Sequence, residues 1–351
     1  MARYGYFFGN EVRLGKAPAL VSLQQPLYPT ADAFDPKEMA DVVLRSTTKH
    51  GVVIEHSCDG LVVFDFTRYP PLAAEEVRQE LENQNVSPRI NFQNLSSFML
   101  RRTEIMNAHA LCLKTSIVTK QNVYVAATNI SPHGVLHISN TDGAPKAISF
   151  KRQLDSYRYS ARLKSQYNPR LLVLFDPRIG HRMCFVSEET ICDAVKCLEK
   201  CMEQERNGAL KFCSMINYAI SSLEDHDYPK CLVTCWVVIE AFLNKKWIAH
   251  LESVRALKTP EGEVEMSKQR IKKLTSNDYT ASIITENLSL LGCLSFEQYA
   301  LIEEARRARN KWMHELADVP INTAQNALKV ASLLFKSEFA VELPTGTSLR
   351  L

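Results

Sequence analysis

Apolar and polar positions recur at two different periods along this chain, and the change falls near residue 185. Before it, short β-like runs mix with helical stretches. "GVVIEHSCDGLVVFDF" (51–66) predicts a strand, a turn at Asp59-Gly60 and a second strand. "NVYVAATNIS" (122–131) and "RLLVLFDP" (170–177) predict further strands, each closed by turn residues. From Ser96 to Val118 the spacing of Phe98, Arg102, Ile105, His109 and Cys112 is helical. Residues 31–50 and 72–83 also read as helix.

After about 187 the pattern is almost purely helical, with predicted helices near 189–206, 209–224, 230–248, 267–289, 296–317 and 320–336. Ser187 followed by two glutamates, and Ser295 followed by Glu297 and Gln298, have the form of helix N-caps. Asn207-Gly208 and the stretch from Asp225 to Pro229 punctuate the first three helices. Pro320 suits the first turn of the last one. The expected architecture is an α+β domain over 1–185, an all-α helical bundle over 186–340 and a loose tail over 341–351.

Charge narrows the function classes. Lys and Arg total 42 against 39 Asp and Glu, so no global positive field exists and any nucleic-acid contact must be a local patch. The start lacks the apolar core of a signal peptide. The longest apolar stretch, Cys231 to Leu243, is interrupted by Thr234 and Glu240 and is too short to span a bilayer. Ten cysteines without export suggest reduced thiols, so a cytoplasmic protein without membrane contact is expected. Cys197 and Cys201, and Cys231 and Cys235, sit four apart on predicted helices. No Cys-x-x-Cys pair occurs, so packed free thiols are expected, with no metal and no cofactor.

One helix carries candidate chemistry. Within 301–316, Leu301, Ala305, Ala308, Trp312 and Leu316 form an apolar stripe expected to pack inward. Asn310 and His314 fall on the opposite side, with Arg306 and Arg307. Arg309 flanks the stripe, roughly 140° round from His314 and about 7.5 Å along the axis. Arg-Asn-Lys-Trp-Met-His (309–314) thus offers a permanent cation, a small amide and a side chain that titrates near neutrality. Because Arg309 and His314 are not close neighbours on one helix, a centre using both calls for a second copy of the helix. The plain alternative is a solvated basic face whose His314 stabilises the carbonyl end. Arg45 to His50 has the same spacing, but Lys49-His50-Gly51 reads as a helix terminus.

With "CWVVIEAFLNKKW" (235–247) upstream and "EEARRARNKWMHE" (303–315) downstream, residues 187–340 resemble the HEPN superfamily of helical proteins. "SFMLRRTEIMNAHALCL" (97–113) is similar to the accompanying region of Apea-type HEPN proteins, many of them bacterial defence proteins. The resemblance implies a metal-independent endoribonuclease that leaves 2′,3′-cyclic phosphate and 5′-hydroxyl ends. It implies an antiviral effector or toxin acting on cellular RNA such as tRNA. His314 would serve as general acid or base, Arg309 would hold the scissile phosphate, and Asn310 would orient one of them. A homodimer through the helical domain is implied, restrained by a regulatory protein or released by a phage-derived trigger.

Arg306, Arg307 and Lys311 would widen the RNA-binding patch, and "KQRIKK" (268–273) either extends it or is a solvated face. Glu240 either pairs with Arg309 in support or is a surface point on a mostly buried helix. Trp236 and Trp312 read as core. Asp225-His226-Asp227 reads as a turn, and His133 with His137 as a chance pair. The other function class is a non-catalytic HEPN module that binds nucleotide, RNA or protein. A third possibility places the enzyme in the N-terminal half, which lacks any recognisable catalytic set.

Overall fold

The computed structural model describes residues 2–7, 12–15, 41–58, 60–72, 92–123, 125–132, 134–141, 144–147, 184–259, 262–276 and 278–343. Contacts divide the chain into two units, Met1–Asn217 and Tyr218–Leu351. The layout is α+β first and helical afterwards.

The first unit is built on β1 (Ala2–Phe7), β2 (Val12–Leu14), β3 (Val42–Thr47), β4 (Val53–Ser57) and β5 (Leu61–Asp65). These are joined by α1 (Phe92–Gln121), β6 (Leu136–Thr141), β7 (Ala144–Ala147), β8 (Cys184–Val186) and α2 (Glu188–Glu203). Six strands form one antiparallel sheet in the order β3-β4-β5-β1-β6-β7. β2 and β8 pair in parallel as a separate ribbon. The predicted hairpin is β4 and β5, and Gly60 takes φ +85 in its turn. α1 lies against the sheet: the His109 ring meets Phe64 of β5 edge-on at 5.4 Å and reaches Tyr6 of β1. α1 also packs on α2.

Two N-terminal expectations differ from the fold. Residues 42–47 are an edge strand instead of helix, because β-branched Val42, Val43 and Thr47 suit the ladder to β4. Residues 125–130 belong to none of the described strands. Side chains serve part of their backbone: Asn107 on α1 donates to Ile130 O and accepts from Ile130 N, both at 2.8 Å. Asn217 donates to Thr128 O at 2.8 Å and to Asn107 Oδ1 at 3.1 Å. The predicted strand at 170–177, the helical reading of 73–83, and His133 lie outside the described residues.

α3 (Ala209–Glu224) runs across the boundary of the units. The second unit continues with α4 (Tyr228–Ser253), the hairpin β9 (Ala256–Thr259) and β10 (Gly262–Glu265), and α5 (Lys268–Leu274). It ends with α6 (Ala281–Leu290), α7 (Phe296–Glu315) and α8 (Ile321–Phe339). Phe242 of α4 meets Phe335 and Phe339 of α8 edge-on at 6.4 and 5.9 Å, at the centre of this core. Val341 and Leu343, assigned to a loose tail from the sequence, are buried.

The single helix expected over 267–289 is two. Ser276 turns its hydroxyl back onto Lys273 O at 2.8 Å, and Thr280 caps α6 through the Ile283 amide. Such short hydroxyl side chains offer the backbone alternatives to a continuous helix. Asp227 caps α4 through the Lys230 amide, and His226 adopts φ +59, so Asp225-His226-Asp227 is a turn. The described cysteines are free. Most are buried, and Cys201 Sγ lies 3.6 Å from Cys213 Sγ. No group of three or more His, Cys, Asp or Glu among the described residues is placed to hold a metal ion. No described helix is long and apolar enough to cross a membrane.

Candidate active site

α7 begins at a full capping box, in which Ser295 accepts from Gln298 N while Gln298 accepts from Ser295 N. It ends where Leu316 turns to φ +51 and donates its amide to Trp312 O. The buried face centres on Ile302, Glu303 and Ala305. The expected stripe therefore holds only in its first part. Ala305 is buried, Leu301, Ala308 and Trp312 are half-buried, and Leu316 is 80 % exposed. Leu316 lies just past the helix end, in a left-handed turn.

Arg309 is half-buried and donates from Nη1 to Asn310 Oδ1 at 3.0 Å. Its Nε is buried without a hydrogen-bond partner. The guanidinium is thus steered by its immediate neighbour, while one donor remains unused. Asn310 makes no hydrogen bond to His314, so the amide orients the cation and leaves the imidazole alone. His314 is exposed in the last turn, beside Met313, which is 49 % exposed, and Leu316. Among the described residues no hydrogen bond links His314 to Arg309, in keeping with their separation round the helix.

The expected basic patch is thinner than its sequence. Glu303, only 6 % exposed, accepts from Arg306 Nε at 2.9 Å and Nη2 at 2.8 Å. Arg307 approaches the same carboxylate at 3.7 Å. The bonds from Arg306 hold the Glu303 carboxyl below its usual value and raise the Arg306 guanidinium. Of the three flanking cations, Lys311 is exposed and has no such tie. Glu303 carries the local electrostatics, and sequence reasoning missed it. The Glu303-x-x-Arg306 and Glu303-x3-Arg307 spacings were the available signal.

Glu240 forms no ion pair with Arg309. It lines a pocket with Asn244 and Trp247 of α4 and with residues of the α5–α6 connection. Trp236 is buried, in keeping with a core role. The "KQRIKK" stretch forms α5, with Lys268, Arg270, Lys272 and Lys273 exposed.

No protein-family model matches the chain, and no curated protein or solved structure is detectably similar to it.

Proposed function

We propose that this chain is a metal-independent endoribonuclease of the HEPN type, acting on cellular RNA as a homodimer. The observation that carries the reading is the arrangement on α7. A half-buried arginine is aimed by an adjacent asparagine and keeps a free donor, and an exposed histidine stands in the last turn of the same helix. Guanidinium donors suit the equatorial oxygens of a phosphate gaining charge. Imidazole suits removal of the 2′-hydroxyl proton and protonation of the departing 5′-oxygen. The nucleophile belongs to the RNA, so DNA is not a substrate. The exposed apolar pair Met313 and Leu316 beside His314 fits a second copy of α7 that completes the site. An antiviral effector or toxin that halts translation is the role such an activity suits.

The test is incubation of wild-type, Arg309→Ala and His314→Ala proteins with total RNA in EDTA, followed by mapping of the cut ends. Cleavage by wild type alone, leaving cyclic phosphates, supports the assignment. Equal cleavage by all three proteins rejects it. A non-catalytic binding module is the second reading, and one observation favours it: Glu240 faces a pocket and not Arg309.

A further inference from the structure

We propose that a cluster of four cysteine thiols in the first unit is an oxidation site, at which a hydroperoxide joins Cys201 to Cys213 as a disulfide. Cys112 lies on α1, Cys197 and Cys201 on α2, and Cys213 on α3, all within Met1–Asn217. Cys201 Sγ lies 3.6 Å from Cys213 Sγ, and the Cys112 and Cys197 thiols also bond to Cys201. Cys112, Cys201 and Cys213 are fully buried, whereas Cys197, one turn before Cys201 on α2, is half-buried. A lone buried cysteine is ordinarily a small apolar packing residue. A cysteine ringed by three others is different, because each neighbour can donate a weak S–H bond to its sulfur. Bonds from Cys112, Cys197 and Cys213 pull the Cys201 thiol below its usual value, against the opposing effect of burial. Burial, and then the bond to Cys201, push Cys213 up. Cys201 is therefore the group that ionises, and the thiolate is the form that reacts.

Geometry selects the partner. Cys197 and Cys201 are four apart on one helix, which sets their Cβ atoms roughly 5–6 Å apart. A disulfide takes about 3.5–4.5 Å. Cys201 must therefore pair across helices, and Cys213 is already in sulfur contact with it. Hydrogen peroxide, barely larger than water, enters past the half-buried Cys197. The Cys201 thiolate attacks one peroxide oxygen, the O–O bond breaks, and Cys201 becomes a sulfenic acid while the other oxygen leaves as hydroxide. The Cys213 sulfur then attacks Cys201 Sγ, the S–O bond breaks, and a second hydroxide departs. The two hydroxides take up the proton Cys201 lost on ionising and the Cys213 proton. Two thiols and one peroxide thus give one disulfide and two waters, the sulfurs oxidised and the peroxide oxygens reduced. Four thiols also suggest a metal, but no three His, Cys, Asp or Glu among the described residues are placed to hold one. The inference does not depend on RNA cleavage, because α7 supplies none of these groups.

The test treats the whole reduced protein with stoichiometric hydrogen peroxide, alkylates the remaining thiols and maps tryptic peptides without reduction. Cleavage after Lys196, Lys200, Arg206 and Lys211 places Cys197, Cys201 and Cys213 on separate peptides, so the pairing is read directly. The expected product is the peptide Cys201–Arg206 joined to the one that starts at Phe212, lighter than their sum by the two lost hydrogens and separated by dithiothreitol. Cys213→Ala is expected to leave Cys201 as a sulfenic acid that dimedone captures. Cys201→Ala is expected to leave Cys213 as a thiol, with circular dichroism confirming the fold of both variants. The wild-type map needs no variant. The exposed Cys293 stands outside the cluster as an internal reference, and the Cys201 thiol is expected to disappear about tenfold faster. Oxidation of Cys293 ahead of Cys201, pairing of Cys201 with Cys112, or a full equivalent of zinc in the purified protein overturns the proposal.

Discussion

Arg309 gives one Nη1 hydrogen to Asn310 Oδ1 at 3.0 Å and keeps Nε buried and unpaired. A guanidinium held by its neighbour loses less freedom when it meets a phosphate. Asn310→Ala is therefore expected to lower single-turnover RNA cleavage by about tenfold, while Arg309→Ala lowers it by about a hundredfold or more. Arg309→Lys is expected to resemble Arg309→Ala, because a lysine cannot use the asparagine and the phosphate in the same fork. Single-turnover rates of the three variants check this, and a fully active Arg309→Lys protein contradicts it.

Glu303 sets the stability of the same helix. Its folded value is depressed by Arg306, so its contribution is complete above the unfolded carboxyl value near 4.5 and disappears as pH falls through the lower folded value. Glu303→Gln is expected to destabilise the second unit by about 1–2 kcal/mol at pH 7. The deficit should shrink in acid, where wild type loses the pair as well. Urea unfolding of both proteins at pH 7 and pH 3.5 measures this.

The first unit carries a pH dependence of its own. Tyr6 OH lies 2.8 Å from His109 Nδ1, and His109 Nε2 lies 3.1 Å from His56 Nε2. Burial pushes His56 down from the usual 6.5 to about 4, and burial with the neighbouring ring pushes His109 well down too. A depressed histidine leaves the unfolded chain binding more protons below 6.5. Stability is therefore full above 6.5 and falls as pH drops towards 4, by about 3 kcal/mol from His56 alone. Denaturation midpoints of the first unit at pH 7 and pH 5 are expected to differ accordingly, and His56→Phe should flatten the slope.

Self-association follows from the exposed end of α7. If two copies complete the site, Leu316→Glu places charges in the apolar contact. Wild type is expected to sediment as a dimer and Leu316→Glu as a monomer with an unchanged helical spectrum. Cleavage should fall with the dimer fraction. A monomeric wild type that cleaves RNA contradicts the two-copy site.

Much of this fold is legible from period and punctuation. Ser187 and Ser295 cap the helices that their positions announce, and the β4–β5 hairpin follows its alternating pattern. The break in the predicted 267–289 helix was harder to see, because apolar spacing continues across it while Ser276 and Thr280 redirect the backbone. That break also creates one wall of the Glu240 pocket, so the pocket could not be foreseen either. At the candidate site, the motif on α7 was visible. The capture of Arg306 by Glu303 was not, because burial decides whether an i,i+3 pair is firm or solvated. The β9–β10 hairpin went unforeseen for lack of alternating apolar residues in its short strands.

The segment at 125–130 is held at Ile130 by Asn107 and at Thr128 by Asn217. Such a segment tolerates changes of letter better than changes of length. Replacing the exposed Ala126 leaves all of these bonds in place. Deleting one residue between Asn122 and Thr128 instead shifts Thr128 and Ile130 away from amides that cannot follow, since both asparagines are anchored on helices. The two amides act as a ruler, and the spacing along the chain is what they measure.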